Sequence, residues 1–100
     1  MTTTHTPQAK NSSVVAVASA TGDTLLLASN PERKGAIIFN DSTAILYLLL
    51  GTGVASSTNH TLQLAANGGL FKLDRFDYTG MIRGAWVSAN GNARVTELTL

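Results

Sequence analysis

Cysteine is absent from this sequence, and charged residues make up only 13% of its 100 residues. Without cysteine there is no disulfide framework, no thiolate nucleophile and no cysteine-based zinc site. A soluble domain usually has about a quarter of its residues charged, so the low charge indicates that part of the surface is covered by other protein. The formal net charge of +1 disfavours a nucleic-acid binder, which would show a basic stripe.

Long apolar runs are also missing. None approaches the roughly 20 residues that span a bilayer, so we expect no association with a membrane. Met1–Asn11 lacks the apolar core of a signal peptide, and we therefore expect the protein to be made in a cytosol and to leave it only inside a larger particle. The length fits one domain.

Residues suited to catalysis or metal binding are equally scarce. His5 and His60 are the two histidines, and neither has an acidic or histidine partner at ligand spacing. Asp74 and Asp77 resemble a catalytic carboxylate pair, but Arg75 lies between them, which favours a loop ion pair or a turn cap over a weak calcium site or catalysis. No nucleophile elbow or phosphate-binding loop is present. The sequence predicts no enzyme, no cofactor and no metal site.

The most informative stretch is Gly35–Gly51, GAIIFNDSTAILYLLLG. Two apolar arms flank the polar tetrapeptide Asn40–Thr43, and since Asn, Asp and Ser favour tight turns, the stretch predicts a β-hairpin. The second arm, Ala44–Leu50, has no polar position, which predicts that both of its faces are covered. One face lies in the interior, and the other meets either a second subunit or the loop Gly51–Asn59.

Short apolar segments separated by turn signals fill the rest of the chain. Asn67-Gly68 is a tight-turn signal and predicts a second hairpin over Thr61–Leu73. Arg94–Leu100 alternates imperfectly and carries charges, which is typical of an edge strand. About eight short strands without a helical stretch predict an all-β fold, an antiparallel two-sheet β-sandwich with the jelly roll as one arrangement. The expected organisation is a flexible N-terminal arm over residues 1–11 and a single sandwich domain over 12–100.

Two groups of side chains allow alternative interpretations. Trp86 lies in a predicted strand and is most simply a core residue; with Tyr78 it could instead stack on a sugar or anchor an interface. Arg33 and Lys34 are expected in a solvated loop tip, with a contact to an acidic partner surface as the alternative.

The segments Asn30–Gly51 and Asp77–Leu98 carry a resemblance. An Asn-Pro-x-Arg-x-Gly opening, an apolar strand ending in Leu-Gly, a Tyr-Thr-Gly turn, a Trp strand and a final Ala-Arg-Val-Thr-Glu follow in order. The chain thereby resembles small β-sandwich virion accessory proteins of tailed bacteriophages, of the head decoration or cement kind. The resemblance implies a structural protein on the capsid surface, made in the host cytoplasm, whose partner is the major capsid protein or another virion protein. A head-fibre base, a tail-fibre or baseplate module, and a carbohydrate-binding module are the alternatives.

A doubly apolar strand also predicts self-association. Closed cyclic symmetry is usual for identical subunits, and a homotrimer, which would suit the threefold positions of an icosahedral shell, is favoured over a dimer. The candidate interface residues are Tyr47, Leu48, Leu50, Arg33, Lys34, Tyr78 and Trp86.

Overall fold

The computed structural model describes residues 9–73 and 78–100, and these ranges form eight β-strands with no helix among them. The strands are β1 (Asn11–Ala18), β2 (Thr24–Leu27), β3 (Arg33–Ser42), β4 (Leu46–Leu50), β5 (Leu62–Leu64), β6 (Leu70–Leu73), β7 (Ile82–Trp86) and β8 (Gly91–Thr99). The all-β prediction is confirmed. Most of the predicted arm lies outside the described residues, and its last residue, Asn11, already begins β1.

The strands form two antiparallel sheets with a nested pairing pattern. Sheet 1 has the order β1-β8-β3-β6 and sheet 2 the order β2-β7-β4-β5. The first strand pairs with the last, the second with the seventh, the third with the sixth and the fourth with the fifth. A long hairpin that is folded over into two layers produces this nesting, and it is the arrangement of a jelly roll. The predicted sandwich is therefore present in its jelly-roll form.

Both predicted hairpins are wrong in their pairing. β3 belongs to sheet 1 and β4 to sheet 2, and the same division separates β6 from β5. The turn chemistry itself is correct, since Asn67 and Gly68 have φ values of 59° and 118°. A turn signal shows where the chain reverses, but it does not show whether the next strand joins the same sheet or crosses to the other one.

The predicted edge position of the last strand is also wrong. β8 lies inside sheet 1, between β1 and β3. Its charged residues do not guard an edge, because Arg94 and Glu97 bond to partners within the protein: Arg94 Nε lies 3.2 Å from Asp41 Oδ2, and Glu97 Oε2 lies 2.9 Å from Arg33 Nε. In the sequence, a charged residue that pairs with a distant residue cannot be told apart from a charged residue that protects an edge strand.

The core lies between the sheets and uses one face of β4. Leu46 and Leu48 are fully buried, and Leu50 packs partly buried against the same cluster. On β7, Gly84 leaves room for leucine side chains of its two neighbouring strands in sheet 2, since a Cβ there would lie 2.8 Å from Cδ1 of Leu46 and 3.0 Å from Cδ1 of Leu26. Gly84 stays in register with β4, so it marks close side-chain packing and not a bulge between these two strands.

A buried amide connects the two sheets where β3 ends. Asn40 is fully buried, and its Nδ2 donates to the carbonyl oxygens of Ala44 at 2.8 Å and Ala65 at 3.0 Å. Its Oδ1 accepts from Trp86 Nε1 at 3.1 Å and lies 2.8 Å from Ser42 Oγ. One side chain on sheet 1 thus holds the start of β4, the end of β5 and the tryptophan of β7. Buried polar groups need such partners, and losing them is costly.

We expect Asn40→Asp to destabilise the fold by about 3 kcal/mol or more at neutral pH, because a carboxylate cannot donate to two buried carbonyls and its charge would be buried without a cation. Asn90→Asp is the matched control, since Asn90 is exposed and the change in net charge is identical. Urea denaturation of both variants measures the difference. Equal midpoints for the two variants would contradict the role of Asn40.

Candidate functional site

Several of the predicted interface residues belong to the interior. Leu48, Trp86 and Arg33 are buried, and Leu50 packs against the core. Leu48 and Leu50 face inward because alternate residues of β4 share the interior face. Trp86 is held by its bond to Asn40. Burial leaves Arg33, Leu48 and Trp86 little surface for a contact in the folded chain, and the interface role of Leu50, which is only partly buried, stays a prediction.

Arg33 is an internal clamp and not part of a solvated loop tip. Its side chain is completely buried and its Nε donates to Glu97 Oε2 at 2.9 Å. Nη1 donates to the carbonyl oxygen of Gly80 at 2.8 Å, and Nη2 donates to that of Ala28. The fork of guanidinium donors suits this set of acceptors. Nothing local in the sequence marks the site, since Glu97 is 64 residues away in the chain.

The outer face of β4 is partly covered by the following loop. Leu49 is buried with Ala55 and Ala85, and Ala55 N donates to Asp23 Oδ1 at 2.8 Å. Asp23 Oδ2 lies 2.5 Å from Arg83 Nη1, so an ion pair holds the loop against sheet 2. Of the two predicted covers for the second face of β4, the loop Gly51–Asn59 is therefore the one that covers the end of the strand at Leu49. The predicted trimer requires an open second face, and only part of that face is open; the oligomeric state stays a prediction.

Tyr47 lies at the part of this face that remains accessible. Its ring is half-buried and packs on His60 with the ring centroids 4.8 Å apart. Ile45, which directly precedes β4, is exposed, and Val87, which is 57% exposed, donates its backbone N–H to the carbonyl oxygen of Ile45. We call Ile45, Tyr47 and Val87 the Tyr47 face.

A shallow groove of about 380 Å³ borders the Tyr47 face. It is lined by Thr21, Tyr47, Ser56, Ser57, Ala85, Trp86 and Val87. The lining contains hydroxyl and apolar groups but neither a carboxylate nor a cation. His60 is turned away to the loop, with Nδ1 3.0 Å from the carbonyl oxygen of Ser56. Such a groove offers contact area with a few hydrogen bonds, which suits binding to protein more than it suits acid–base chemistry.

The remaining candidates are dispersed. Lys34 is half-buried on β3, and Tyr78 is half-buried with its hydroxyl donating to the carbonyl oxygen of Met81 at 2.7 Å. His5 and the Asp74–Asp77 pair lie outside the described residues. Within the described part of the chain, no group of three or more His, Cys, Asp or Glu side chains could hold a metal ion.

Comparisons with protein-family models, with curated proteins and with solved structures found no match. Among residues 9–73 and 78–100, no helix has the length and hydropathy of a membrane span.

Two accessible regions were not singled out by the sequence pattern. Val87 directly follows the buried Trp86 at the end of β7, so continuing the alternation of the strand by one residue points it to the outer face. Val14 and Val15 lie on β1 and are exposed, although a valine-rich strand ordinarily indicates burial. The one sequence feature that sets this exposed strand apart is that Asn11–Ala18 contains no charged residue.

We expect Arg33→Met to lower the free energy of unfolding by about 3 kcal/mol, because it leaves several carbonyls and the partly buried carboxylate of Glu97, whose side chain is 18% exposed, without the guanidinium donor. Arg94→Met is the matched control: the Arg94 side chain is 56% exposed beside Asp41, and exposed pairs contribute about 0–1 kcal/mol. Thermal and chemical denaturation of both variants measure the contrast. A cost below 1 kcal/mol for Arg33→Met would mean that the clamp is dispensable.

Proposed function

We propose that this chain is a structural protein of a tailed-bacteriophage virion, a decoration protein that binds the outer head shell. The proposal rests on the resemblance in Asn30–Gly51 and Asp77–Leu98 and on a jelly-roll fold, an architecture that also serves in viral capsid domains. Because one fold hosts many functions, the argument depends further on the surface that the protein presents.

The observation that carries the proposal is the uncharged Tyr47 face. An aromatic ring supported by His60 and flanked by exposed Ile45 and Val87 offers the rigid aromatic anchor and aliphatic surround that are typical of protein contacts. The hydroxyl groups of Thr21 and Ser56 at the groove supply hydrogen bonds at its margin. The occupant that we assign to this face is a protein of the virion shell.

A face of this size need not bind tightly by itself. On a symmetric shell, many copies bind at fixed spacing, and linking two such contacts raises the overall affinity without any new interaction. Stabilisation of the shell follows by mass action, because a ligand that binds only the assembled state favours that state.

The alternative functions differ in what they require of this chain. A tail-fibre or baseplate module would use the same face but would occur in few copies per particle. A carbohydrate-binding module would need Trp86 as a stacking platform, and Trp86 is only 2% exposed and is bonded to Asn40. We therefore do not carry the carbohydrate interpretation further.

Quantitative mass spectrometry of virions from a phage that encodes this chain tests the proposal. We expect the protein in purified particles at hundreds of copies, in proportion to the major capsid protein. A handful of copies per particle would place it in the tail, and its absence from particles would overturn a virion role.

Val87→Asp tests the Tyr47 face itself. We expect at least tenfold weaker binding to shells that lack the protein, because a carboxylate would be desolvated in an apolar contact. Leu70→Asp is the matched control, since Leu70 is 51% exposed but belongs to β6 of sheet 1, and it should bind like the wild type. Cosedimentation with shells measures both, after circular dichroism has shown that both variants are folded. Equal binding by the two variants would exclude the Tyr47 face as the contact.

A further inference from the structure

The edge of sheet 1 formed by β1 differs from the other sheet edges. The edge strands are β1 and β6 in sheet 1 and β2 and β5 in sheet 2. β1 has eight residues, whereas the other three have four, four and three. Short edge strands limit unwanted pairing, so β1 is the edge with room for another strand.

The backbone groups on the outer side of β1 can be identified from its ladder. Ser19 N donates to the carbonyl oxygen of Gly91 at 2.9 Å, in register with the pairing of β1 and β8. Antiparallel ladders alternate, so the odd-numbered residues of β1 bond to β8. The even-numbered residues direct their N–H and C=O groups away from β8, and within the described ranges no strand pairs with them. These residues are Ser12, Val14, Ala16 and Ala18.

β1 also lacks the devices that usually protect an edge. Asn11–Ala18 contains no charged residue and no proline, although lysine, proline and inward-pointing charges are the common guards. By contrast, β6 carries Lys72. Val14 and Val15 are 63% and 57% exposed, so the strand presents apolar side chains on both of its faces, beside backbone groups that pair with no other strand of the described residues.

We propose that two copies of this chain pair through β1, antiparallel about a twofold axis, so that the two copies of sheet 1 become one continuous sheet. The occupant is a second copy because an antiparallel pair of identical strands is self-complementary, as a twofold interface requires. The strand is uncharged, so self-pairing brings no like charges opposite each other. The pairing does not depend on whether the Tyr47 face binds a shell, since it uses the other sheet.

The ladder also determines the register of the pairing. In the dimer, an even-numbered residue of one copy must form its hydrogen-bonded pair with an even-numbered residue of the other copy. Only one register pairs all four even-numbered residues of β1. It places Val14 opposite the partner's Ala16 and Ser12 opposite the partner's Ala18. Each of these residues then contributes one donor and one acceptor, and a valine faces an alanine without crowding.

Val15 lies on the twofold axis in this register. The two Val15 residues form a non-hydrogen-bonded pair, with Cα atoms about 4.5 Å apart. Val15 stands opposite Val95, which is buried, on the inner side of sheet 1. The two exposed valines therefore cover each other beside the existing core. A Cα separation of this size is compatible with a disulfide.

Cysteine cross-linking tests the register. The chain has no cysteine, so a disulfide between protein cysteines in Val15→Cys joins two molecules, and glutathione adducts keep the monomer mass. Val87→Cys is the matched control, because both valines are 57% exposed, but Val15 lies on β1 of sheet 1 whereas Val87 follows β7 of sheet 2. In a glutathione redox buffer we expect Val15→Cys to form covalent dimer at least ten times faster than Val87→Cys. Equal rates would overturn the proposed register.

A proline variant tests the pairing without disturbing the protein's own ladder. The N–H of Ala16 points to the free side, so Ala16→Pro removes a donor that β8 does not use. We expect the weight-average mass of the wild type to rise from 10.5 kDa towards twice that value with concentration in sedimentation equilibrium. Ala16→Pro, with an unchanged circular dichroism spectrum, should stay at the monomer mass. A wild type that remains monomeric into the millimolar range, forms trimers, or associates equally well with the proline would overturn the proposal.

Discussion

The buried amide of Asn40 is the constraint on which the rest of the structure depends. It lies where β3 leaves sheet 1, and its hydrogen bonds extend to Ala44 before β4, Ala65 after β5 and Trp86 on β7. Because an unsatisfied amide in the interior is costly, these segments must come together at one point. The same point is where the chain leaves sheet 1 after β3 and enters sheet 2 at β4, so the amide stabilises a crossing on which the nested pairs of the jelly roll depend.

Sequence patterns predicted the local features and missed the long-range ones. Valine-rich and leucine-rich segments between turn signals predicted the strands, and the positive φ values of Asn67 and Gly68 agree with their turn chemistry. The sheet to which each strand belongs was not predictable, because alternation describes only how a strand is buried. The polar neighbours of Arg33 in the sequence predict a solvated loop, but the residue is buried. Its acceptors come from Glu97 and Gly80, which only the folded chain brings near.

The candidate site was predictable to a similar extent. Tyr47 was expected on one face of β4 and lies there, whereas Leu48 was offered for the same role and faces the core. The sequence could not show that the loop after β4 closes over Leu49, because the bond between Ala55 and Asp23 joins residues that are 32 positions apart. β1 was identified as a strand from its valines, but its position at an edge follows only from the sheet order.

The placement of charge connects these features to function. Arg33, Arg83 and Arg94 each pair with an acidic side chain within the protein, so a sequence with few charges uses several of them internally. The Tyr47 face and the outer side of β1 are left uncharged on different sheets. A protein with this distribution can bind one partner through sheet 2 while it pairs with its own copy through sheet 1.

Hydrogen exchange of individual β1 amides, followed by NMR at low and high protein concentration, tests most directly whether two copies of the protein associate through β1. The amides of Ser12, Val14, Ala16 and Ala18 point away from β8, so they should exchange fast in dilute solution and become protected as the concentration rises. The odd-numbered amides bond to β8 and should change much less. Uniform exchange along β1 that is independent of concentration would contradict the account.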